Sequence, residues 1–288
     1  MKRYKTESAD MLEVGQVLYT KRFVLTVDKN LCKGCEICKL VCPREAISLV
    51  ASPDEDGIAV APIIDIDENK CDFHGICAVV CPFSAIRISI GGDNKLPAVE
   101  AGVFPTLTRD IEARSDMCEP DCKKCEEVCP LGAISVKPGT DAGTAIDIKS
   151  ELCAGCQICR MECPADAIDV SKFIEGSIAI DAGACPEGCN RCLDVCPVDA
   201  LAAGTDGKVH TLEMYCIYCG ACLQVCPAPE ALAVERTVFR HSSIDSGAWN
   251  KGLERITSVA GLMRELASRR TDSVRGAVRN LGVSEENE

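Results

Sequence analysis

Short runs in which apolar and polar residues alternate, or in which β-branched residues crowd together, recur along the chain: FVLTVD at 23–28, IIDID at 63–67, TAIDI at 144–148, SIAID at 177–181 and VHTLE at 209–213. A period of two over so few residues predicts short strands. Most of these runs stand just before a clump of cysteines, and every clump closes on Cys-Pro. A second apolar tail follows each clump: REAISL, FSAIRI, LGAISV, ADAIDV, VDALAA and, with one extra residue, APEALAV. The stretch between the third and fourth cysteine has room for a short helix, which the proline ends because the residue before proline avoids helical geometry. The chain therefore reads as repeated copies of strand, cysteine loop, short helix and strand.

There are six copies, beginning at Cys32, Cys71, Cys118, Cys153, Cys185 and Cys216. They account for the extreme feature of the composition, 23 cysteines in 288 residues. Disulfides are one reading of so many cysteines. Against it, the N-terminal MKRYKTESADMLEVG has no apolar run to serve as a signal peptide. Cysteines two or three residues apart are also poorly placed to bridge one another. Metal ligation in a reduced, cytoplasmic protein is the expectation. A formal net charge of −13 argues against nucleic acid as a partner, and no apolar stretch approaches the roughly 18 residues needed to span a bilayer. Aromatics make up 4% of the chain, with one Trp, so metal binding is expected to supply part of the folding energy.

Copy one, Cys32-x2-Cys35-x2-Cys38-x3-Cys42-Pro43, has the spacing of bacterial ferredoxins. Three cysteines in a tight loop wrap one face of a cubane, and the fourth, on an outgoing helix, reaches the other cluster of a pair. Zinc sites usually join two C-x2-C knuckles across a longer gap, and Cys118-x3-Cys122-x2-Cys125 matches a radical-SAM triplet; neither pattern explains six Cys-Pro closures. Glycines 34, 155 and 220 are expected to let the backbone approach the clusters. Copies three and five carry one extra residue between their first two cysteines, and copies four and six do not. That alternation pairs three with four and five with six, leaving one with two; a nested order is the alternative. Under the tandem order, Cys32, Cys35 and Cys38 share a cluster with Cys81, and Cys42 joins Cys71 and Cys77. Cys118, Cys122 and Cys125 take Cys163, and Cys153, Cys156 and Cys159 take Cys129. Cys185, Cys189 and Cys192 take Cys226, and Cys216, Cys219 and Cys222 take Cys196. About six [4Fe-4S] clusters result, and no cysteine is left over as a nucleophile.

Copy two is one cysteine short. His74 fills the slot of the second cysteine, with Gly75 after it as Gly220 follows Cys219. Imidazole is a competent iron ligand that replaces thiolate in Rieske centres. The alternatives are a [3Fe-4S] cluster, or a cubane with water or Asp72 at that corner.

The expected fold is α+β: three tandem two-[4Fe-4S] ferredoxin domains over 23–95, 106–172 and 173–236, with a C-terminal helical extension. The stretch 83–117, with Gly91, Gly92, Pro97 and Pro105, reads as the join between the first two domains. Residues 1–22 form a polar N-terminal extension that predicts nothing. From Ala248 onward, Leu253, Ile256, Val259, Leu262, Met263 and Leu266 recur at helical spacing, with arginines 255, 264, 269, 270, 275 and 279 between and beyond them. Segment 237–288 is then either a helix packed on its own body or a docking helix for a larger partner.

The repeats resemble the polyferredoxins of anaerobic archaea. The segment KCDFHGICAVVCPFSAI, followed by NKLPAVEAGVFPTLTRDIE, is most similar to the polyferredoxin subunit of formylmethanofuran dehydrogenase. The resemblance implies an electron-transfer subunit of an oxidoreductase complex, wired to a tungsten or molybdenum site where carbon dioxide is reduced in methanogenesis. Members of that family can carry eight clusters; this chain has six units. Its partners would be other redox subunits of a large complex; the alternatives are a free-standing soluble carrier or the polyferredoxin of another hydrogenase or oxidoreductase complex. With no nucleotide loop and no spare nucleophile, the chain is expected to have no catalytic site of its own.

Overall fold

The structure, a computed structural model, describes residues 2–50, 61–138 and 144–267. In chain order its elements are β1 (Lys2–Glu7), β2 (Met11–Val17), β3 (Arg22–Asp28), α1 (Ile37–Val41), β4 (Ile47–Val50), β5 (Ile63–Ile66), α2 (Ile76–Val79), β6 (Ile86–Ile90), β7 (Asp93–Asn94) and α3 (Pro97–Glu100). There follow β8 (Ile111–Ala113), α4 (Lys124–Glu127), β9 (Ile134–Pro138), β10 (Thr144–Ile148), α5 (Ile158–Met161), β11 (Ile168–Val170) and β12 (Ile174–Ile180). The last are α6 (Arg191–Asp194), β13 (Leu201–Ala203), β14 (Val209–Thr211), β15 (Leu232–Phe239) and α7 (Gly247–Ile256). Apart from α7 and a helical stretch over 259–267, the helices among the described residues are about one turn long, too short to stand alone; the cysteine loops and sheets hold them.

Strand pairing gives the order of the repeats. In each unit the strand before the first copy pairs antiparallel with the strand after the second, and the two inner strands pair with each other. The outer pairs are β3–β6, β8–β11 and β12–β15; the inner pairs are β4–β5, β9–β10 and β13–β14. Three ferredoxin-like α+β units thus stand in tandem, and none is nested in another. The alternation of apolar residues fixes which faces turn inward: Leu25, Val27, Ile86 and Ile88 are buried on the paired β3 and β6, while Thr26 and Arg87 point the other way.

Two regions differ from expectation. The N-terminal extension is not featureless: β1 and β2 form a hairpin that continues the first unit's sheet in the order β1-β2-β3-β6-β7. Leu12 and Val14 face its core, but two inward residues among polar ones are too weak a period to predict a strand. The stretch 83–117 contains β6, β7, α3 and β8, and its Phe104 is buried against Trp249 of α7, ring centroids 5.2 Å apart. Trp249, Leu253 and Ile256 are buried, so α7 packs on its own body. Ser246 caps it, accepting a hydrogen bond from the Trp249 N–H. Beyond it Val259 and Met263 are exposed, and the docking reading of 268–288, with arginines 269, 270, 275 and 279, lies outside the described residues.

The main core is shared. It joins Ile37 and Phe83 of the first unit, Ala154 and Cys156 of the second, Ile217 and Cys219 of the third, and the buried face of α7.

Candidate metal centres

The local backbone of each copy serves its thiols. Just before the short helix, the residue after the second ligand position is left-handed in four copies: Glu36 (φ 68°), Gly75 (89°), Gln157 (65°) and Gly220 (85°). This bend turns the chain so that the following N–H groups face back toward the loop. A second left-handed residue follows Cys-Pro in five copies, at Glu45, Ser84, Gly132, Asp166 and Asp199. It aims the next N–H at the fourth sulfur: Ala133, Ala167 and Ala200 donate to the Sγ of Cys129, Cys163 and Cys196 at 3.2–3.3 Å. Copy six, with its extra residue, makes a short turn at Pro229–Ala231 instead. The glycines also answer to packing. Gly34 is left-handed (φ +62°), and a Cβ on it would lie 2.1 Å from the Pro62 carbonyl oxygen. Close packing of neighbouring backbone demands it.

All 23 cysteines are unpaired. They gather in six groups, each with three positions of one copy and the fourth cysteine of its partner copy. One hollow is lined by Cys153, Cys156, Cys159 and Cys129. A second is lined by Cys216, Cys219, Cys222 and Cys196, and a third by Cys71, Cys77, Cys42 and His74. In the other three groups the thiols are close enough to act on one another electrostatically: Cys38 with Cys35, Cys81 and Cys32; Cys118 with Cys163 and Cys122; Cys226 with Cys189 and Cys185. The thiols ring hollows instead of converging on points: among the described residues, no three His, Cys, Asp or Glu side chains are spaced to hold a single ion.

Burial pushes these thiols up, Cys156 and Cys192 to about 11 and Cys159 and Cys219 to about 12, with neighbouring cysteines adding to it. A dry cavity walled by thiols, with backbone N–H groups aimed at sulfur, suits an iron–sulfur cubane, whose metals stabilise the thiolates that burial alone disfavours.

The groups differ in exposure. Cys118, Cys122, Cys125, Cys185, Cys189 and Cys192 are only half-buried, whereas Cys42, Cys71 and Cys77 are 5–8% exposed. The N-terminal hairpin covers the latter group, with Arg3 donating to the carbonyl oxygens of Glu68 and Cys71.

His74 enters this group in register. Its Nδ1 accepts from the Ile76 N–H at 3.3 Å, as the second thiols Cys35, Cys156 and Cys219 accept from Ile37, Ile158 and Ala221. Its buried Nε2 has no hydrogen-bond partner; Asp72 Oδ1, 3.3 Å away, is off the bonding direction. Burial lowers the pKa, outweighing Asp72, so the ring is neutral; with Nδ1 accepting, its proton sits on Nε2, and the lone pair that would ligate iron is the one on Nδ1.

Sequence reasoning missed three cations against the cysteine loops: Arg109, Lys172 and Arg236, which donate to the carbonyl oxygens of Cys81 and Cys153, of Cys216, and of Cys219. Each stands alone just outside a repeat, and only the tertiary packing distinguishes it from a surface base.

A family model described as a 4Fe-4S dicluster domain matches three times, at residues 31–85, 117–167 and 176–229. None of the curated proteins matches the chain. Among solved structures, one similar chain comes from the formate dehydrogenase–heterodisulfide reductase–formylmethanofuran dehydrogenase complex of Methanospirillum hungatei. It superposes with a TM-score of 0.80 at 30% identity, over 89% of this chain and 92% of that one.

Proposed function

This chain belongs to the 4Fe-4S dicluster ferredoxin family, and from that premise we propose that it is the electron-wiring subunit of a formylmethanofuran dehydrogenase-type complex, carrying six clusters. The ligands would be the six groups named above: Cys32, Cys35, Cys38 and Cys81; Cys71, His74, Cys77 and Cys42; Cys118, Cys122, Cys125 and Cys163; Cys153, Cys156, Cys159 and Cys129; Cys185, Cys189, Cys192 and Cys226; and Cys216, Cys219, Cys222 and Cys196. A bound [4Fe-4S] cluster supplies a site that takes up and releases one electron. The protein's own part is to fix the spacing of the sites, keep water from the inner ones and hold N–H groups toward sulfur. The observation that carries the reading is that three units share one core in which groups from different units adjoin. Cys35 lies close enough to Cys219 to raise its pKa, and the Gln224 side chain donates to Glu36 at 2.6 Å. A wire needs such contact between domains, whereas a diffusing carrier needs one site near its surface. The match to a subunit of a multi-enzyme complex supports assembly with other redox subunits. Unpaired cysteines throughout suit a reducing, cytoplasmic setting.

Native protein isolated without oxygen tests this reading. Six sites at four irons each give roughly 24 irons per chain, with acid-labile sulfide in near-equal amount and co-purification with a larger oxidoreductase. Zinc as the main metal overturns the cluster reading, and a lone chain of 30.8 kDa that reduces acceptors by diffusion overturns the complex.

A further inference from the structure

Three cations occupy the joints between the units. The guanidinium of Arg109 donates to Cys81 O at 2.7 Å and Pro82 O at 3.0 Å in the first unit, and to Cys153 O at 2.6 Å in the second. It stacks on the Phe173 ring, 4.8 Å from the centroid. Lys172 donates to Cys216 O at 2.9 Å in the third unit, sits over Tyr218, and its charge also acts on Cys156 of the second. Arg236 donates to Tyr218 O at 2.7 Å and Cys219 O at 2.6 Å in the third unit, and its strongest electrostatic partner is Cys35 of the first. Arg109 therefore touches two cysteine groups across a unit boundary, and Lys172 and Arg236 each touch one and face another. Three groups are involved in all, two for each cation: that of Cys35, that of Cys156 and that of Cys219. Carboxylates near them, Glu151, Glu213 and Glu36, offset part of the charge. Two outer groups also carry a cation on a cysteine carbonyl, Arg3 on Cys71 O at 2.9 Å and Lys208 on Cys185 O at 3.2 Å, but among the described residues each serves a single group and neither is shared between units.

We infer that Arg109, Lys172 and Arg236 are positioning residues that raise the reduction potentials of the three inner clusters, so that electrons entering at any outer site run downhill to a common centre. The inference rests on the six-cluster reading above. Reduction adds one electron and one negative charge to a site. A fixed positive charge in a poorly solvated joint stabilises that added charge and makes reduction easier. The cations also tie unit to unit through main-chain carbonyls, so the distance between facing sites is set by the same contacts that set their potentials.

The arrangement makes a countable prediction. Each cation faces two inner sites, and any two cations share one. Anaerobically purified full chain, with its iron counted, is titrated with reductant while reduced clusters are followed by electron paramagnetic resonance. In Arg109→Gln, Lys172→Gln and Arg236→Gln, two of the six clusters are expected to become harder to reduce, with the reduced-to-oxidised ratio at fixed potential falling roughly tenfold. The double variant Arg109→Gln/Lys172→Gln is expected to move three. Arg109→Lys, which keeps the charge, is expected to hold the wild-type potentials while melting at a lower temperature. Unmoved potentials in glutamine variants that keep their iron overturn the inference, as does a shift in Arg109→Lys equal to that in Arg109→Gln. Should one variant lose iron, the other two seats decide by the same count. A wild type without cubanes at the inner sites brings down the six-cluster reading itself, a result distinct from cubanes that ignore their cations.

Discussion

His74→Cys is expected to make one cluster harder to reduce and to leave the other five where they are. The substitution replaces a neutral imidazole by a thiolate and so adds one negative charge beside the cluster. How much that matters depends on the surroundings. The three cysteines of this group are 5–8% exposed, and the β1–β2 hairpin and Arg3 cover the loop. For charges about 4 Å apart at an effective dielectric near 20, the interaction is about 4 kcal/mol, against about 1 kcal/mol in water. At about 59 mV for each tenfold change in a one-electron equilibrium, these are roughly 170 mV and roughly 40 mV. The buried geometry selects the larger value. Reductive titration of the full chain, wild type beside His74→Cys, measures it. His74→Ala should lose an iron or take water at that corner. A three-iron signal in intact, anaerobically prepared wild type, or a His74→Cys chain with all potentials unchanged, would refute the reasoning.

Three further outcomes follow from the same geometry. Trp249→Ala removes a fully buried ring that packs against Phe104 and donates from Nε1 to His241. It should cost about 3–5 kcal/mol, visible as a lower melting temperature of the iron-loaded chain. Gly34→Ala forces a left-handed non-glycine and sets a Cβ against the Pro62 carbonyl oxygen; it should destabilise the first unit by about 1–3 kcal/mol, read as faster iron loss on mild heating. Burial holds thiols such as Cys156 and Cys159 near 11 and 12, so they are protonated at neutral pH when metal-free and must release protons when they bind iron. Proton release makes binding tighter as pH rises and weaker as it falls, so iron retained against a chelator should increase from pH 6 to pH 8; a flat or falling profile contradicts this.

Much of the fold was legible because the repeat is rigid in sequence. The strands before copies one, two, four, five and six coincide with β3, β5, β10, β12 and β14 to within three residues at either end, since each is a period-two run beside a fixed landmark. The pairing of copies followed from a single inserted residue in copies three and five, and the strand ladders agree with it. What stayed hidden depends on tertiary contact. The β1–β2 hairpin gains its stability from the edge of β3, and its own sequence carries only Leu12 and Val14 as inward residues. Arg109 lies in a stretch that reads as a linker, and its function as a joint arises only when Cys81, Cys153 and Phe173 meet around it. The grouping of thiols was accessible to spacing rules; which groups adjoin across units was not, because no spacing rule operates between domains.

The inserted residue has a second meaning that only the structure supplies. Copies three and five read Cys118-Glu-Pro-Asp-Cys122 and Cys185-Pro-Glu-Gly-Cys189, and the residues inside those loops are exposed. Copies one and four, without the insertion, put Gly34 and Gly155 between their first two cysteines, against Pro62 and the backbone and ring of Ser171–Phe173, and copy six has the buried Ile217 and Tyr218 there. An extra polar residue widens a loop that faces water at little cost, while a loop pressed against another segment has no room for one. The difference between C-x3-C and C-x2-C in this chain is thus a difference between loops that look outward and loops that look inward. Copy two keeps the short spacing and is buried as well, under its hairpin, with Gly75 packed on Leu96 and Pro97. Its missing thiol therefore lies in a dry site, where swapping one ligand's charge changes the electrostatics most.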